Sequence, residues 1–270
     1  MTLEITSSSN KHIKHIKSLQ RKKYRDKYNE FVIEGLRIVE HGLENDAEIS
    51  TIYYTNKIYC MLQKRNFFEK IKKKNIALYK INDKILKEIS NTENSQGIVG
   101  IVKKKSFDLQ DIINKEEFFL IVLDRLQDPG NVGTIIRTAD AAGAEGIIAA
   151  KGTVDIYNSK TIRATMGSVF TMPVVYEDDI LKTISILRNK GADIISTTLD
   201  TEKYHHEVKY GKKNVIIIGN EGNGICGELI EKSNIKIKIP LIGNAESLNA
   251  SVASGIVMYE IVRQKMNSEN

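Results

Sequence analysis

Three short stretches gather the polar side chains that could do chemistry. They are "LDRLQDPGNVGTIIRTADAAGAEG" (123–146), "VIIIGNEGNGI" (215–225) and "LIGNAESLNASVASGIVMYE" (241–260). In the first, Pro129 and Gly130 make a turn, and Asn131 either caps the helix that follows or reaches past it. Val132, Ile135, Ile136 and Ala139 supply that helix's apolar stripe. Arg137 falls roughly 140° around the helix from Val132, off the stripe. Its fork of donors is either solvated or turned to a cleft, where it suits a phosphate. In the second stretch an apolar run enters Gly219-Asn220-Glu221-Gly222-Asn223-Gly224. The spacing is not the dinucleotide G-x-G-x-x-G, and no Walker Lys-Ser/Thr follows. Glu221 would repel a phosphate but tolerates a cation or anchors an Arg, so this is either a ligand loop or a tight connection. In the third, Gly243 permits a sharp turn and Ser247 can cap a helix starting near Leu248. Capping does not explain Glu246 or Asn249.

The elements that must position these turns alternate. "FFLIVLDRL" (118–126) is a continuous apolar run of the kind a buried parallel strand requires. The pattern then predicts helix 131–142, strand 146–150, helix 158–168, strand 173–176, helix 178–190 and strand 193–198. Strand 214–218, helix 225–232, strand 234–239 and helix 248–266 follow. That rhythm implies a mostly parallel sheet with helices on both faces, whose ligands bind beyond the carboxyl ends of the strands. All three polar turns stand at such ends. The first part of the chain reads as a separate small α/β unit: one helix over 9–25, a second over 36–45, a helix end at 69–75, strands at 30–35, 49–55, 76–81 and 96–105, and a low-apolar junction at 105–117. His205 and His206 read as surface histidines of a mobile loop.

Charge is divided in the same way. Residues 1–105 carry 22 Lys/Arg against 12 Asp/Glu, whereas residues 106–270 carry 18 against 22. A basic part beside an acidic one suggests that the first grips a polyanion and the second does something else. No stretch approaches ~18–20 consecutive apolar residues, the N-terminus lacks a signal-like apolar segment, and Cys60 and Cys226 are isolated. These features predict a cytoplasmic protein with no membrane span, disulfide framework or metal site.

Taken together, "DPGNVGTIIRTADAAGA", "IIIGNEGNGI" and "IPLIGNAESLNASVASGIVMYE" resemble the three motifs of the SpoU/TrmH family of RNA 2′-O-ribose methyltransferases, in the SPOUT class. "ITSSSNKHIKHIKSLQRKKYR…FVIEG" resembles, more loosely, the substrate-binding domain of that family's ribosomal-RNA members. The resemblance implies an RNA-binding α/β domain at 1–105 and a methyltransferase α/β domain at 106–270, closed by a deep trefoil knot. It implies S-adenosylmethionine as cofactor, held near Thr198, Gly219, Ile239 and Leu248. It casts Arg137 as the central catalytic residue, oriented by Asn131 and Glu221, with Ser247 and Asn249 shaping the pocket. The implied partners are RNA, ribosomal (23S) rather than transfer RNA, and a second copy joined through the C-terminal domain; neither DNA nor a membrane is expected. Two other classes compete. A nicotinamide-dependent oxidoreductase would need the missing G-x-G-x-x-G turn, and a non-catalytic RNA-binding protein would have no use for the intact motif residues.

Overall fold

The computed structural model describes residues 3–268; residues 1 and 2, part of the N-terminal stretch read above, lie outside it. The chain divides into two compact units. One runs up to Lys105 and also includes Tyr157–Phe170; the other comprises Ser106–Ile156 and the chain from Thr171 onward.

The first unit holds β1 (Leu3–Ile5), α1 (Lys11–Ser18), α2 (Lys22–Tyr28), β2 (Glu30–Glu34), α3 (Leu36–Glu44) and β3 (Ile49–Tyr54). It continues with α4 (Asn56–Lys64), α5 (Phe67–Lys73), β4 (Ala77–Ile81), α6 (Asp83–Ile89) and β5 (Ile98–Lys103). Its sheet has the order β1-β4-β3-β5-β2, with β5 antiparallel to both neighbours and the remaining pairs parallel. The segment expected to be one helix over 9–25 is two. Leu19 turns into the core, leaving carbonyls free at the end of α1. The buried Arg25 guanidinium donates to the Leu19 carbonyl (2.8 Å) and the Gln20 carbonyl (2.9 Å), so the break is satisfied from within. Helices α4 and α6, at nine and seven residues, are additions to the sequence reading, whereas α3 and α5 stand where helices are expected.

The second unit contains α7 (Leu109–Ile113), β6 (Phe118–Leu123), α8 (Pro129–Ala141), β7 (Gly146–Ala150), β8 (Val174–Glu177) and α10 (Ile180–Asn189). It ends with β9 (Asp193–Thr197), β10 (Lys213–Ile218), α11 (Gly227–Lys232), β11 (Ile235–Ile237) and α12 (Ala250–Ser268). Helix α7 occupies the expected junction, where Leu109, Ile112 and Ile113 are buried after an Asp108 cap. All six strands are parallel in the order β11-β9-β10-β6-β7-β8. Alternate residues face opposite cores. Ile121, Leu123, Ile216 and Ile218 meet Val132, Ile136, Val257 and Met258 of α8 and α12. Leu120, Val122, Val215 and Ile217 meet Ile184, Leu187 and Leu229 of α10 and α11. Burial on both faces accounts for the unbroken apolar runs in the sequence.

Residues 157–170 lie inside the stretch expected to form the second domain, yet their apolar side chains complete the first unit's core. They comprise α9 (Ser159–Thr165) and a 3-10 turn at Ser168–Phe170. Tyr157, Ile162, Val169 and Phe170 are buried with Phe31, Ile33, Leu36 and Val39. The Tyr157 ring lies 4.9 Å from that of Phe31. Gly42 in α3 makes room for Phe170: a Cβ there would stand 3.1 Å from its ring.

Exchanging Arg25→Met should lower stability by about 1.5–3 kcal/mol, since a buried and a half-buried carbonyl lose a charged donor. Urea denaturation followed by circular dichroism reads the loss, and Lys23→Met, on the exposed side of the same helix, should stay within about 0.5 kcal/mol of the parent.

Candidate active site

Strands β7 and β8 extend the second sheet to one side of β6, while β10, β9 and β11 extend it to the other. The winding direction therefore reverses between β6 and β10, and the crevice beyond their carboxyl ends is where an open α/β sheet admits a ligand. The loops 124–128 and 219–226 flank this crevice.

These loops are tied together by side chains. Asp124, buried at the end of β6, accepts from the Cys226 backbone N–H (2.8 Å) and pairs with the Arg125 guanidinium (2.8 Å). Asn220 donates to the Arg125 carbonyl (2.8 Å) and accepts from the Gly222 and Asn223 N–H groups (both 3.0 Å). Glu221 accepts from the Gln127 N–H, the Asp128 N–H and the Asn131 amide, each at 3.1 Å. Burial alone would push the Glu221 carboxyl up, but these donors outweigh it and hold its pKa below the ordinary value. The loop thus keeps its carboxylate turned toward the neighbouring backbone. Gly219 is required for close approach, because a Cβ there would collide with the Gly224 and Ile225 backbone.

Asn131 does not cap its helix. Asp128 does, accepting from the Asn131 N–H at 2.7 Å, and α8 begins at Pro129. Asn131 is freed to act as a junction: its amide donates to Glu221, and its carbonyl accepts from the Asn249 amide at 2.8 Å. Asn249 in turn caps α12 with its own carbonyl, which accepts from the Ser251 N–H (2.9 Å) and the Val252 N–H (3.3 Å). The cap expected at Ser247 therefore sits two residues later. Asn249 thereby uses both ends of its side chain, the carbonyl on the helix and the amide on Asn131.

The structure thus joins Asn131, Glu221 and Asn249 in one chain of hydrogen bonds. Arg137 and Ser247 stand outside it, both exposed and without a hydrogen bond or ion pair among the described residues. Of the residues expected to hold a cofactor, Gly219 opens the loop after β10, and Thr198 follows β9, its N–H donating to the Ile237 carbonyl (2.9 Å). Ile239 packs partly against the core, and Leu248 is partly exposed just before α12. Sequence reasoning missed Asp124, Arg125 and Asn220. Their signal was present, as polar residues directly after an apolar strand that are too many for one turn. The loop of His205 and His206 is anchored: the His205 N–H donates to the Lys238 carbonyl (2.9 Å), and the Tyr210 hydroxyl donates to the His205 carbonyl (2.6 Å). Among the described residues no group of His, Cys, Asp and Glu could hold a metal ion, and no helix is long and apolar enough to cross a membrane.

Because the folded pKa of Glu221 is depressed, its contribution to stability is full above the unfolded value (~4.3) and is lost as pH falls through the folded value. Glu221→Gln should therefore lower the melting temperature at pH 7 and reduce its fall between about pH 5 and pH 3. Parallel curves for parent and variant over that range would show that the carboxylate is not held in this way.

Residues 119–259 match the SpoU rRNA Methylase family, and residues 10–100 match an MRM3-like substrate binding domain. The 23S rRNA (guanosine(2553)-2'-O)-methyltransferase of Bacillus subtilis (strain 168) is 31% identical over 258 residues, 96% of this chain and 98% of its own length. The 23S rRNA (uridine(2479)-2'-O)-methyltransferase of Streptomyces viridochromogenes is 28% identical, over 90% of this chain and 86% of its own. Among solved structures, the AdoMet-bound rRNA methyltransferase from Sinorhizobium meliloti superimposes with a TM-score of 0.86 at 34% identity, covering 97% of this chain and 98% of that one. The similarity spans both units, so the chain belongs to the SpoU rRNA methylase family.

Proposed function

We propose that this protein is a cytoplasmic, S-adenosylmethionine-dependent methyltransferase that modifies a ribose 2′-hydroxyl of ribosomal RNA, in the 23S molecule. The observation that carries this reading is the Asn131–Glu221–Asn249 network at the point where the sheet reverses. It fixes three loops around one crevice, where two reactants must be held in line.

The residues present suit the cofactor. Apolar side chains stand in water at the loops after β9 and β11, where Leu199 is 66% exposed, Ile242 98% and Leu248 36%. An adenosine group would cover such side chains, with backbone groups of Gly219, Ile239 and Leu248, and the Thr198 turn, holding its polar edges. When bound, S-adenosylmethionine supplies a methyl carbon on a sulfonium, already a good electrophile. The protein's own task is alignment and the management of one proton. Arg137, exposed and unpaired among the described residues, is free to bind an RNA phosphate and to stabilise negative charge developing on the 2′-oxygen. It is not the base, since a guanidinium does not give up its proton at neutral pH. Ser247 and Asn249 shape the wall where cofactor and ribose meet. A 2′-hydroxyl as the acceptor separates RNA from DNA.

Residues 1–105 take the role of RNA-binding domain and residues 106–270 that of methyltransferase. Lys14, Arg21, Lys22 and Lys23 on and beside α1 and α2 are exposed and suit a phosphate backbone. A homodimer through the C-terminal domain fits α12, where Val252 (52% exposed), Tyr259 (51%) and Met266 (62%) recur every seven residues as an uncovered stripe. The small residues Ala250, Ala253, Ser254 and Gly255 suit the trefoil knot that the resemblance implies. Mapping 2′-O-methyl positions in ribosomal and transfer RNA with and without this protein decides between those two substrates.

Two outcomes test the reading. Arg137→Ala should lower methyl transfer at least about 10²-fold while S-adenosylmethionine affinity, by calorimetry, changes little. Near-normal turnover in that variant would remove Arg137 from the mechanism. Replacing Lys14, Lys22 and Lys23 by Ala should weaken RNA binding and reduce the salt dependence of log K by about 0.7 for each phosphate no longer neutralised. Removing residues 1–105 outright is a poorer test, because it would strip the cover from Tyr157, Ile162, Val169 and Phe170.

A further inference from the structure

The first unit carries a groove that the lysines of α1 and α2 do not account for. It has a volume of about 970 Å3, at the upper end of the ~300–1,000 Å3 of ligand pockets, and lies between α4, α5 and the β1–β4 side of the sheet. Its floor is aromatic. Tyr54 is buried beneath Tyr59, their rings nearly parallel with centroids 6.1 Å apart. Phe68 closes the cluster edge-on to Tyr54 (5.7 Å) and tilted against Tyr59 (5.5 Å). Tyr59 is the outermost ring and is 38% exposed, fixed from behind by two other rings and at its hydroxyl by the Gln63 amide (3.2 Å).

Around this floor stand exposed Asn56, Lys72 and Asn75. Amides of this kind can both donate to and accept from a base edge, and an ammonium can meet a phosphate. The groove's carboxylate, Glu4, is taken up by Lys80 at 3.8 Å. Lys70, Lys73 and Lys74 extend α5 and the residue after it as a basic row, though Lys70 and Lys74 are paired with Glu44 and Asp46. An aromatic floor, amides on the rim and excess positive charge match a nucleobase still attached to its phosphate. Base-paired RNA presents no free base face to a ring, whereas an unpaired nucleotide does.

We infer that this groove captures an unpaired nucleotide of the RNA substrate, its base stacked on Tyr59 and its edge read by Asn56 and Asn75. This rests on the RNA methyltransferase reading and adds to it: the substrate must present an unpaired loop or flipped base in addition to the methylated ribose.

The test uses the full chain, a labelled single-stranded fragment of 23S ribosomal RNA carrying 5-iodouridine, and the same sequence annealed to its complement. Irradiation should crosslink the single strand to the peptide holding Tyr59, and the duplex much less. Tyr59→Leu should raise the Kd for the single strand roughly tenfold, the size of one base stack removed, while Tyr59→Phe stays within about threefold of the parent. Crosslinks confined to α1 and α2, or equal affinity of parent and Tyr59→Leu, would overturn the proposal. Should Tyr59→Leu fail to fold, the crosslink on the parent chain still decides. These readouts need no methyl transfer. A chain that binds through Tyr59 but methylates no RNA would overturn the enzymatic reading and leave the groove standing.

Discussion

One carboxylate sets the geometry on which the second unit's crevice depends. Glu221 leaves the end of β10 on a loop that can turn back only because Gly219 has no side chain. Its oxygens then collect two backbone N–H groups from the loop after β6 and one amide from α8. Neighbouring strands in a parallel sheet leave their following loops free to splay, since the ladder ends where the strands end. A negative charge bridging both loops removes that freedom, and does so without a metal ion or a disulfide. The neighbouring ties, Asp124 to Cys226 and Asn220 to Arg125, act in the same sense, so that the crevice is fixed from three points.

What is held and what is left free divide cleanly. Asn131, Glu221 and Asn249 bond to one another, to backbone groups and to the Ser251 hydroxyl, so they serve as a frame. Arg137, about one and a half turns further along α8, is not drawn into that frame. A guanidinium already paired with Glu221 would have to break a charged hydrogen bond before meeting a phosphate, whereas an unpaired one gives up only water. The same division appears in the first unit. Arg25 is consumed in closing the break between α1 and α2, which frees the flanking lysines to remain in solvent.

Much of this was legible in the sequence. Apolar runs located five strands of the parallel sheet to within about two residues and overran the end of β6 by three, and the three polar turns at strand ends marked the crevice. Asn131, Glu221 and Asn249 were singled out by type and position, and the structure brings them together. Misassignments arose where a local rule had two solutions. A hydroxyl at 247 and amides at 131 and 249 are all competent caps; in the structure Asp128 caps α8 and Asn249 caps α12, while the Asn131 side chain bonds Glu221 and Asn249 instead. Helix α7, at five residues, shows too few turns for periodicity to register. The strand order was out of reach, because which strand lies beside β6 depends on how the chain passes over the sheet rather than on any strand's own residues. Nor could spacing reveal that Tyr157–Phe170 completes a core begun more than a hundred residues earlier.

That last feature bears on how the molecule is made. A chain emerging from the ribosome presents β1 to β5 long before α9 appears, and the surface later covered by Tyr157, Ile162, Val169 and Phe170 stays wet until then. By that time β6, α8 and β7 have also been synthesised, so neither unit is finished before the other has begun. The two are made in an interleaved order, with the first closed by a segment borrowed from the middle of the second. The crevice, which needs Asn249 just before the last helix, cannot be completed until well after the segment that closes the first unit has been made.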